Sequence, residues 1–438
     1  MIDKRWSQVK RVLAIRLDNL GDVLVTTPAL HAIKTSLPAA TLTLLTSPVG
    51  AQVARLNPDL DDVIVYQAPW MDPWHKLPQD SQREQQVITT IRERRFDGAI
   101  IFTSFRQSPL PAAYLCYLAD IPLRVAASID GPGSLLTTRH KHPPITSHKG
   151  GIAFQLPQGG IAEREQLHKN DETWRSGLQV LERMMHEVER GLDLVATIGL
   201  TTEDLDLVLH VPADARTHID DLLASYHVDK PDDRMKCRDD PCGRPAWDRP
   251  AYGRPAWDRP GCGRPALIAV HPGCSMPART YPWEMYVEVV DLLVEQLGAT
   301  VFLTGAEDEQ ELVERILSHV QEGNRRAVHS LAGVLSFPAL CALIEAADLV
   351  ITNNTGPMHI SAAVKTPVVA LFALTNPPEQ WGPWHVPHRL LNVDVPCRIC
   401  YSRACPYQHE CLRLVSPSMV VDAASGLLKH VGRELTVS

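Results

Sequence analysis

The chain has 438 residues, with 43 Lys and Arg against 51 Asp and Glu, and a formal net charge of -8. This balance excludes a protein that wraps nucleic acid through bulk electrostatics. At roughly 150 residues per domain, the length predicts two or three domains. No apolar stretch approaches the ~18 residues that a membrane-spanning helix needs, and the first apolar run ends at Arg16, too early for a secretion signal. We therefore expect a cytoplasmic protein with at most peripheral contact to the inner face of the cytoplasmic membrane.

The first half of the chain alternates short apolar strands with helices. Strands are predicted at 11–15, 40–46, 62–66 and 98–103, and helices at 23–37, 81–95 and 172–197. The segment 130–170 is rich in Gly, Pro, His and Lys, and we predict a loop there. Strands that alternate with helices indicate parallel βαβ units in a doubly wound sheet.

A proline-rich stretch separates the two halves. Residues 242–266 repeat a ten-residue unit, CGRPAWDRPA, about two and a half times, and a unit this polar cannot build a core. We predict a disordered insertion over about 231–265, inside an interdomain linker of residues 201–266. The alternative is a zinc site on the cysteines of the stretch, for which nothing supplies a fixed fourth ligand. These cysteines are Cys237, Cys242 and Cys262.

The second half repeats the alternation of strands and helices. Strands are predicted at 267–270, 300–304, 349–352 and 367–371, and helices at 283–297, 307–320, 338–346 and from 356. The predicted domains are an N-terminal domain of residues 1–200 and a C-terminal domain of residues 267–415. A last helix, 416–438, is predicted to pack back toward the N-terminal domain. In open α/β folds of this kind, ligands bind at the carboxyl ends of the strands.

The loop after the first predicted strand contains a candidate general base. Its only glycine is Gly21, so the loop is not the G-x-G-x-x-G motif of dinucleotide-binding proteins. Asp22 lies at the carboxyl edge of the strand, where a carboxylate can take a proton from a substrate. The alternative is that Asp18 or Asp22 only caps the following helix.

Two loops of the second half suit a phosphate-bearing ligand. Gly273, Cys274 and Ser275 follow a strand and precede Arg279, and backbone N–H groups with a nearby guanidinium bind phosphate oxygens. A solvated arginine before a helix is the alternative. Further on, Gly356-Pro357 begins a helix whose free N–H groups can cradle a diphosphate.

Other polar residues lie beside these loops. Asn354 and Thr355 can add side-chain donors, whereas His359, one turn into the helix, is by itself more typical of a packed residue. Glu307 can accept hydrogen bonds from a ribose diol, or it serves only the helix dipole.

Four cysteines lie in a basic segment near the C-terminus: Cys397, Cys400, Cys405 and Cys411. Their spacing fits no standard zinc or iron–sulfur pattern. We interpret the segment as a structured basic loop with reduced thiols, with a metal site as the alternative.

Taken together, these motifs carry a family resemblance. The segments are 12–24 with 26–30, 186–190, 271–273 with 278–282, 304–309, 354–359 and 381–384. In this order they resemble the motifs of bacterial heptosyltransferases, glycosyltransferase family 9. The resemblance covers residues from about 10 to 120 and from 186 to the C-terminus, apart from the insertion.

The resemblance implies a GT-B fold, in which two Rossmann-like domains face each other across a cleft. Residues 1–200 would then be the acceptor-side domain and residues 267–415 the nucleotide-sugar-binding domain. It also implies an inverting transfer from a nucleotide sugar, typically ADP-heptose, to a lipopolysaccharide core or another glycan or lipid-linked glycan acceptor. Asp22 matches the family's base, and Arg279, where the family usually has lysine, would stabilise the departing diphosphate. Glu307 matches the ribose-binding acid. The implied donor-binding residues are Gly21, Gly273, Cys274, Ser275, Glu307, Asn354, Thr355, Gly356 and His359.

The resemblance implies neither a metal nor a cofactor, in keeping with a sequence that lacks a D-x-D carboxylate pair at these motifs. Asn354 stands where many members carry Asp, which changes the charge of the donor site. Two alternatives follow: a catalytically silent GT-B protein that binds nucleotide sugars or acts as a scaffold, and a sugar-nucleotide epimerase.

Overall fold

The computed structural model describes residues 2–72, 75–105, 107–142, 185–226 and 265–434. The predicted insertion up to residue 264 and the first part of the predicted helix 172–197 lie outside these residues. The chain forms two compact units. The first comprises Met1–His210 and Pro377–Gly382, and the second comprises Val211–Asn376 and Pro383–Ser438.

The first unit is built on a six-stranded parallel sheet. Its strands are β1 (Arg11–Arg16), β2 (Thr41–Thr46), β3 (Asp62–Val65), β4 (Gly98–Ile101), β5 (Leu123–Ala127) and β6 (Thr138–His140). Their order across the sheet is β3-β2-β1-β4-β5-β6. The central strand β1 is buried along its length except for Arg11, as expected for a parallel strand covered on both faces. Its Val12 faces Leu42 of β2 and Gly98 of β4.

Helices cover this sheet. They are α1 (Leu20–Ser36), α2 (Gly50–Ala54), α3 (Ser81–Glu93), α4 (Leu110–Leu118), α5 (Glu187–Ala196) and α11 (Pro378–Trp381). The long helix α1 packs against α5. The side chain of Asp80 caps α3 by accepting hydrogen bonds from the N–H groups of Gln82 and Arg83.

The second unit repeats this plan. Its strands are β7 (Leu267–His271), β8 (Thr300–Leu303), β9 (Val328–Ser330), β10 (Leu349–Asn353), β11 (Val368–Leu371) and β12 (His388–Leu391), in the order β12-β11-β10-β7-β8-β9. Its helices are α6 (Ala213–Ser225), α7 (Trp283–Leu297), α8 (Gln310–His319), α9 (Phe337–Ala346), α10 (Gly356–Ala363), α12 (Glu410–Arg413) and α13 (Pro417–Glu434). Helix α7 ends at Gly298, whose φ of 58° is the left-handed conformation that glycine adopts without strain.

Both sheets share one topology. Counting within each unit, the order is 3-2-1-4-5-6, that of the Rossmann fold, in which the first and fourth strands lie side by side. Chain connections leave these two strands in opposite directions, which opens a crevice at their carboxyl ends. In the first unit this switch point lies between β1 and β4, and in the second between β7 and β10. The fold prediction of two parallel-sheet α/β units, as in GT-B proteins, is confirmed.

Several predicted boundaries differ from the structure. Strand β6 lies in the segment predicted as loop, and α6 lies in the predicted linker 201–266. The first unit extends past residue 200, since the N–H of His210 donates to Leu56 O at 2.8 Å. Residues 307–309 form a 3-10 turn before α8. Helix α13 packs on α7 and on strands of the second sheet, and its predicted packing toward the N-terminal domain stays a prediction.

Among the described residues, no helix has both the length and the apolar character required to cross a lipid bilayer.

Candidate functional site

Arg16, the last residue of β1, lies at the centre of a buried charge cluster. Its Nε is 2.8 Å from Asp18 Oδ2, and its Nη2 is 3.0 Å from Asp22 Oδ1 and 4.0 Å from Glu187 Oε2. Burial acts to lower the pKa of Arg16, but the three carboxylates outweigh it and hold that pKa above its usual value. The first switch point therefore holds one permanent positive charge among three carboxylates.

The loop after β4 completes this cluster from the other side of the switch point. Ser104 Oγ accepts a hydrogen bond from Arg16 Nη2 at 2.7 Å and lies 2.9 Å from Asp22 Oδ1, to which it can donate. Gln107 Nε2 donates to Asp18 Oδ1 at 2.6 Å, and Gln107 Oε1 accepts from the N–H of Ser104 at 3.0 Å. The carboxyl end of β1 is thus linked to the loop after β4 by direct side-chain hydrogen bonds.

Asp22 has two roles in this arrangement. Its Oδ2 accepts a hydrogen bond from the N–H of Asn19 at 3.1 Å, so it caps α1, as one of the two sequence interpretations predicted. Its side chain is also 14% exposed, compared with 4% for Asp18 and 1% for Glu187. Of the three carboxylates, Asp22 is therefore the one that a substrate hydroxyl reaches most easily.

The two more deeply buried carboxylates hold their protons more tightly than usual. Burial raises the pKa of Asp18 to about 6, with the nearby Asp22 charge adding to the rise and Arg16 opposing it. Burial also raises the pKa of Glu187, against the opposing charges of Arg190 and Arg16. Gln380 donates a hydrogen bond to Glu187 from α11.

At the second switch point, Asn353 links the loop after β7 to the end of β10. Its Nδ2 donates to Pro272 O at 2.8 Å and to Gly273 O at 3.2 Å, while its Oδ1 accepts from the N–H of Tyr281 at 3.0 Å. Asn353 is fully buried, and these bonds satisfy its amide. They set the course of the backbone from Pro272 to Tyr281, the segment that contains Arg279.

A chain of side chains connects Arg279 to Asn354. Arg279 Nε donates to Thr375 Oγ1 at 3.0 Å, Thr375 Oγ1 lies 3.3 Å from Asn376 Oδ1, and Asn354 Nδ2 donates to that same oxygen at 3.0 Å. Within the part of the chain that the structure describes, no donor reaches the buried Oδ1 of Asn354. This oxygen is therefore a buried acceptor whose hydrogen-bonding capacity is unfilled within those residues.

Gly273 lies against Glu309. A Cβ added to Gly273 would be 2.0 Å from Glu309 Oε1, so the close approach depends on glycine. Glu309 Oε2 accepts from the N–H of Ala306 at 2.8 Å and lies 3.5 Å from His271 Nε2. Burial lowers the pKa of His271, and the Glu309 charge opposes that shift.

The structure brings most of the predicted donor residues to the second switch point. Cys274 lies near Arg279 and Thr355, and burial raises the pKa of its thiol. Thr355 directly precedes Gly356, the first residue of α10. The other predicted residues differ in exposure: Ser275 and Glu307 are exposed, and His359 is buried.

Gly21 and Asp22 lie at the first switch point, in the first turn of α1. Their roles stay predictions, as do those of the donor residues in the second unit.

Sequence reasoning missed several members of both clusters: Arg16, Ser104, Gln107, Glu187, Glu309, Asn353, Thr375, Asn376 and Gln380. A charged residue at the end of an apolar strand was a usable signal for Arg16. Ser104 and Gln107 gave no such signal, because only the strand order places them beside β1.

The basic cysteine loop is joined to the Arg279 segment. The N–H of Ala278 donates to Arg403 O at 2.9 Å, and His409 Nε2 lies 2.9 Å from Pro277 O. Cys405 Sγ accepts hydrogen bonds from the N–H groups of Tyr407 and His409 at 3.4 and 3.3 Å. The four cysteines of the loop are free thiols of intermediate exposure, which agrees with a structured loop.

Comparison with known sequences assigns a family. Residues 182–410, somewhat more than half of the chain, match glycosyltransferase family 9 (heptosyltransferase). Lipooligosaccharide heptosyltransferase 2 of Campylobacter jejuni is 31% identical over 166 residues, which are 37% of this chain and 51% of that protein. Lipopolysaccharide heptosyltransferase 2 of Escherichia coli K12 is 30% identical over 112 residues, 25% of this chain and 32% of that protein. The chain thus spans about half the length, or less, of these curated relatives.

Solved structures agree with this assignment at the level of the fold. A family 9 glycosyltransferase from Veillonella parvula has a TM-score of 0.68 at 18% identity, covering 96% of this chain and 98% of that one. ADP-heptose lipopolysaccharide heptosyltransferase II of E. coli has a TM-score of 0.63 at 17% identity, covering 96% and 99%. With a family match over more than half of its residues, the chain belongs to glycosyltransferase family 9, the heptosyltransferase family.

Proposed function

We propose that the protein is an inverting glycosyltransferase that moves a heptose from ADP-heptose to the lipopolysaccharide core or to another cell-surface glycan. The observation that carries the proposal is the position of Asp22, the most exposed carboxylate of a buried charge cluster at the first switch point. Family membership supports glycosyl transfer. The similar proteins are named as lipooligosaccharide or lipopolysaccharide heptosyltransferases, which supports heptose as the sugar and lipopolysaccharide as the acceptor. The proposed location is the cytoplasm, with peripheral contact to the membrane that holds a lipid-linked acceptor.

In the proposed reaction, Asp22 takes the proton of the acceptor hydroxyl as that oxygen attacks the anomeric carbon. The bond from this carbon to the diphosphate breaks on the opposite face, so the configuration inverts. Arg16 and Ser104 hold Oδ1 of Asp22 from one side, and Asn19 holds Oδ2 from another. A base fixed in this way needs little reorganisation during the proton transfer.

The second unit supplies the proposed donor site. Arg279 neutralises charge that develops on the departing nucleoside diphosphate, and the N-terminus of α10, with Thr355, binds its oxygens. Among the described residues no side chain caps α10, but Pro357 has no N–H and the N–H of Met358 donates to Thr355 O at 3.1 Å, so this part of the proposal rests on the N–H of Gly356. Glu307 is the proposed acceptor for the ribose diol, and the buried Oδ1 of Asn354 would accept from a hydroxyl of the nucleotide sugar. These groups provide the charge compensation for the chemistry, so the proposal includes neither a metal ion nor a cofactor.

The test separates the base from a helix cap. Asp22→Asn keeps the size of the side chain and loses the basic carboxylate, and we expect turnover to fall by about 10²–10⁴-fold with little change in donor affinity. Asp80→Asn is the matched control, because Asp80 also caps a helix of the first unit but lies outside the charge cluster. Unchanged turnover in Asp22→Asn would show that Asp22 is not the general base.

A catalytically silent nucleotide-sugar-binding protein is the second candidate, and Asn354 is the observation that favours it. Calorimetry with a panel of ADP- and UDP-sugars, coupled to an assay for released nucleotide, distinguishes the two functions. Binding of a donor without nucleotide release in the presence of lipopolysaccharide core acceptors supports the silent protein. Release that depends on an acceptor supports the transferase, and release without one would point to hydrolysis.

A further inference from the structure

Two histidines and an aspartate converge in the first unit, away from the charge cluster around Arg16. His140 is the last residue of β6, His142 follows it by two residues, and Asp193 lies on α5. Asp193 Oδ2 is 2.7 Å from His140 Nε2 and 2.8 Å from His142 Nδ1. Each of the three side chains thus offers one ligating atom, and these three atoms lie within 4.8 Å of one another.

A threonine contacts the second nitrogen of one of these rings. Thr197 Oγ1 lies 2.8 Å from His140 Nδ1 and 3.1 Å from Asp193 O, and the direction of its hydrogen bond to the ring follows the tautomer of His140. In the tautomer with the proton on Nδ1, the hydroxyl accepts from that N–H, and Nε2 directs its lone pair toward Asp193, as it would toward a cation bound between them.

This arrangement is that of a metal-binding histidine. Such histidines usually donate their second ring N–H to a neighbouring oxygen, which fixes the tautomer and aims the free nitrogen at the ion. The ligating atoms of a tetrahedral zinc ion are roughly 3.4 Å apart, so small side-chain rotations would open the space. Two imidazoles and one carboxylate are donors that zinc-type divalent ions accept.

The charges around the cluster act in opposite directions, since Asp193 attracts a bound cation and Arg190 repels it. Asp193 supplies the negative charge of the group, and its Oδ2 lies within 2.8 Å of a nitrogen of each histidine. Arg190 repels a cation, although its Nε lies 3.1 Å from Glu187 Oε1, which offsets part of its charge.

We propose that His140, His142 and Asp193 form a binding site for one zinc-type divalent transition-metal ion. The ion would join the end of the edge strand β6 to α5, with its remaining position open to water. Because α5 begins at Glu187, a member of the Arg16 cluster, the ion would also hold that carboxylate's helix in place. The site has a structural role and takes no part in the proposed transfer chemistry.

The experiment measures metal binding by the full chain. Metal-depleted protein is titrated with Zn²⁺ by calorimetry and with Co²⁺ by absorption, because Co²⁺ on nitrogen and oxygen ligands lacks the sulfur charge-transfer band of a thiolate site. We expect His142→Ala and Asp193→Asn each to lose one equivalent of bound ion relative to the unaltered chain. The lost Co²⁺ absorption should contain no sulfur band, which separates this site from the cysteine loop.

Two further variants sharpen the result. Thr197→Val keeps all three ligands and removes the hydrogen bond to His140, so affinity should fall by about 10–100-fold. His31→Ala is the matched control, since His31 Nδ1 lies 3.0 Å from Asp59 Oδ2 in a pair without a third ligand, and it should bind as before. Circular dichroism checks that each variant is folded. Equal stoichiometry in the unaltered chain and in folded His142→Ala and Asp193→Asn overturns the proposal.

Discussion

The two switch points share a topology and differ in chemistry. At the end of β1, Arg16 is surrounded by carboxylates, and the cluster is held together mainly by charge. At the end of β10, Asn353 and Asn354 are buried neutral amides that connect loops through hydrogen bonds. Arg279 contributes a positive charge at the other end of the hydrogen-bonded side chains that lead to Asn354. One fold thus presents a carboxylate-rich edge in one unit and an amide-rich edge in the other.

The proposed function gives the two edges distinct tasks. A proton acceptor benefits from carboxylates whose protonation is set by neighbours, as at the first switch point. An anionic ligand would be repelled by such carboxylates, whereas amides, helix N–H groups and one guanidinium attract it. Substitutions that alter one edge at a time therefore test whether the two edges differ in this way.

Replacing Arg16 should have the largest effect. Arg16→Met leaves Asp18, Asp22 and Glu187 without their shared cation, and removal of one partner from a buried ionic group costs about 3–5 kcal/mol. Urea unfolding at pH 7 measures the loss, which should shrink at pH 5, where Asp18, whose pKa is raised to about 6, takes up a proton. Arg216→Met is the control, because Arg216 pairs with Glu345 at a half-exposed site, where an ion pair contributes at most about 1 kcal/mol. Equal losses in both variants would show that the cluster does not depend on charge.

Replacing Arg279 tests the cation of the other edge. Arg279→Met should lower kcat/KM by about 10²–10³-fold, since the developing diphosphate charge loses a stabilising group. Arg279→Lys should recover most of the activity, because lysine keeps the charge, although its geometry differs. Steady-state kinetics on a donor that supports turnover provide the measurement. A methionine variant as active as the lysine variant would remove Arg279 from the mechanism.

Asp18→Asn tests the raised pKa in the first unit. A folded-state pKa of about 6, compared with the usual value of 3.8, means that the folded chain binds the proton more tightly. Stability from this group is therefore present below pH 4 and is lost as the pH rises to 6. The asparagine variant should lack this loss. Between pH 4 and 6 its free energy of unfolding should therefore fall by on the order of 1 kcal/mol less than that of the unaltered chain. Parallel pH profiles for both proteins would contradict the raised pKa.

Gly273→Ala should have the smallest effect. The new Cβ displaces the flexible Glu309 carboxylate and breaks its bond to the N–H of Ala306, at a cost of about 1 kcal/mol. The double variant Gly273→Ala/Glu309→Ala should show coupling, since the second change removes the atoms that clash. Strictly additive losses in thermal unfolding would indicate that the contact is unimportant.

Strands and helices with clear apolar periodicity could be predicted from the sequence, and the edges of the sheets could not. The long buried runs of β1, β10 and α7 are visible because hydrophobic spacing determines them locally. Strands β6, β9 and β12 have three or four residues and are partly exposed, so they have no such pattern. Their backbone is ordered by the neighbouring strand.

The candidate sites divide in the same way. Asp22, Arg279 and Asn354 could be named because each lies in a polar loop directly after an apolar strand or before a helix. Ser104 and Gln107 follow the fourth strand, and nothing in their local sequence indicates that they contact Arg16. Thr375 and Asn376 lie beyond β11, yet they connect Arg279 to Asn354.

The sequence by itself determined the two α/β units, the family resemblance and the polar loops at the ends of the strands, because hydrophobic periodicity and short motifs are local properties. Tertiary structure alone decided the strand order, which places β1 beside β4 and β7 beside β10. It also decided which carboxylate of the Arg16 cluster is exposed and how His140, His142 and Asp193 converge. The physical reason is that distances between residues far apart in the chain, and the burial that sets their charges, arise only when the sheets and helices pack.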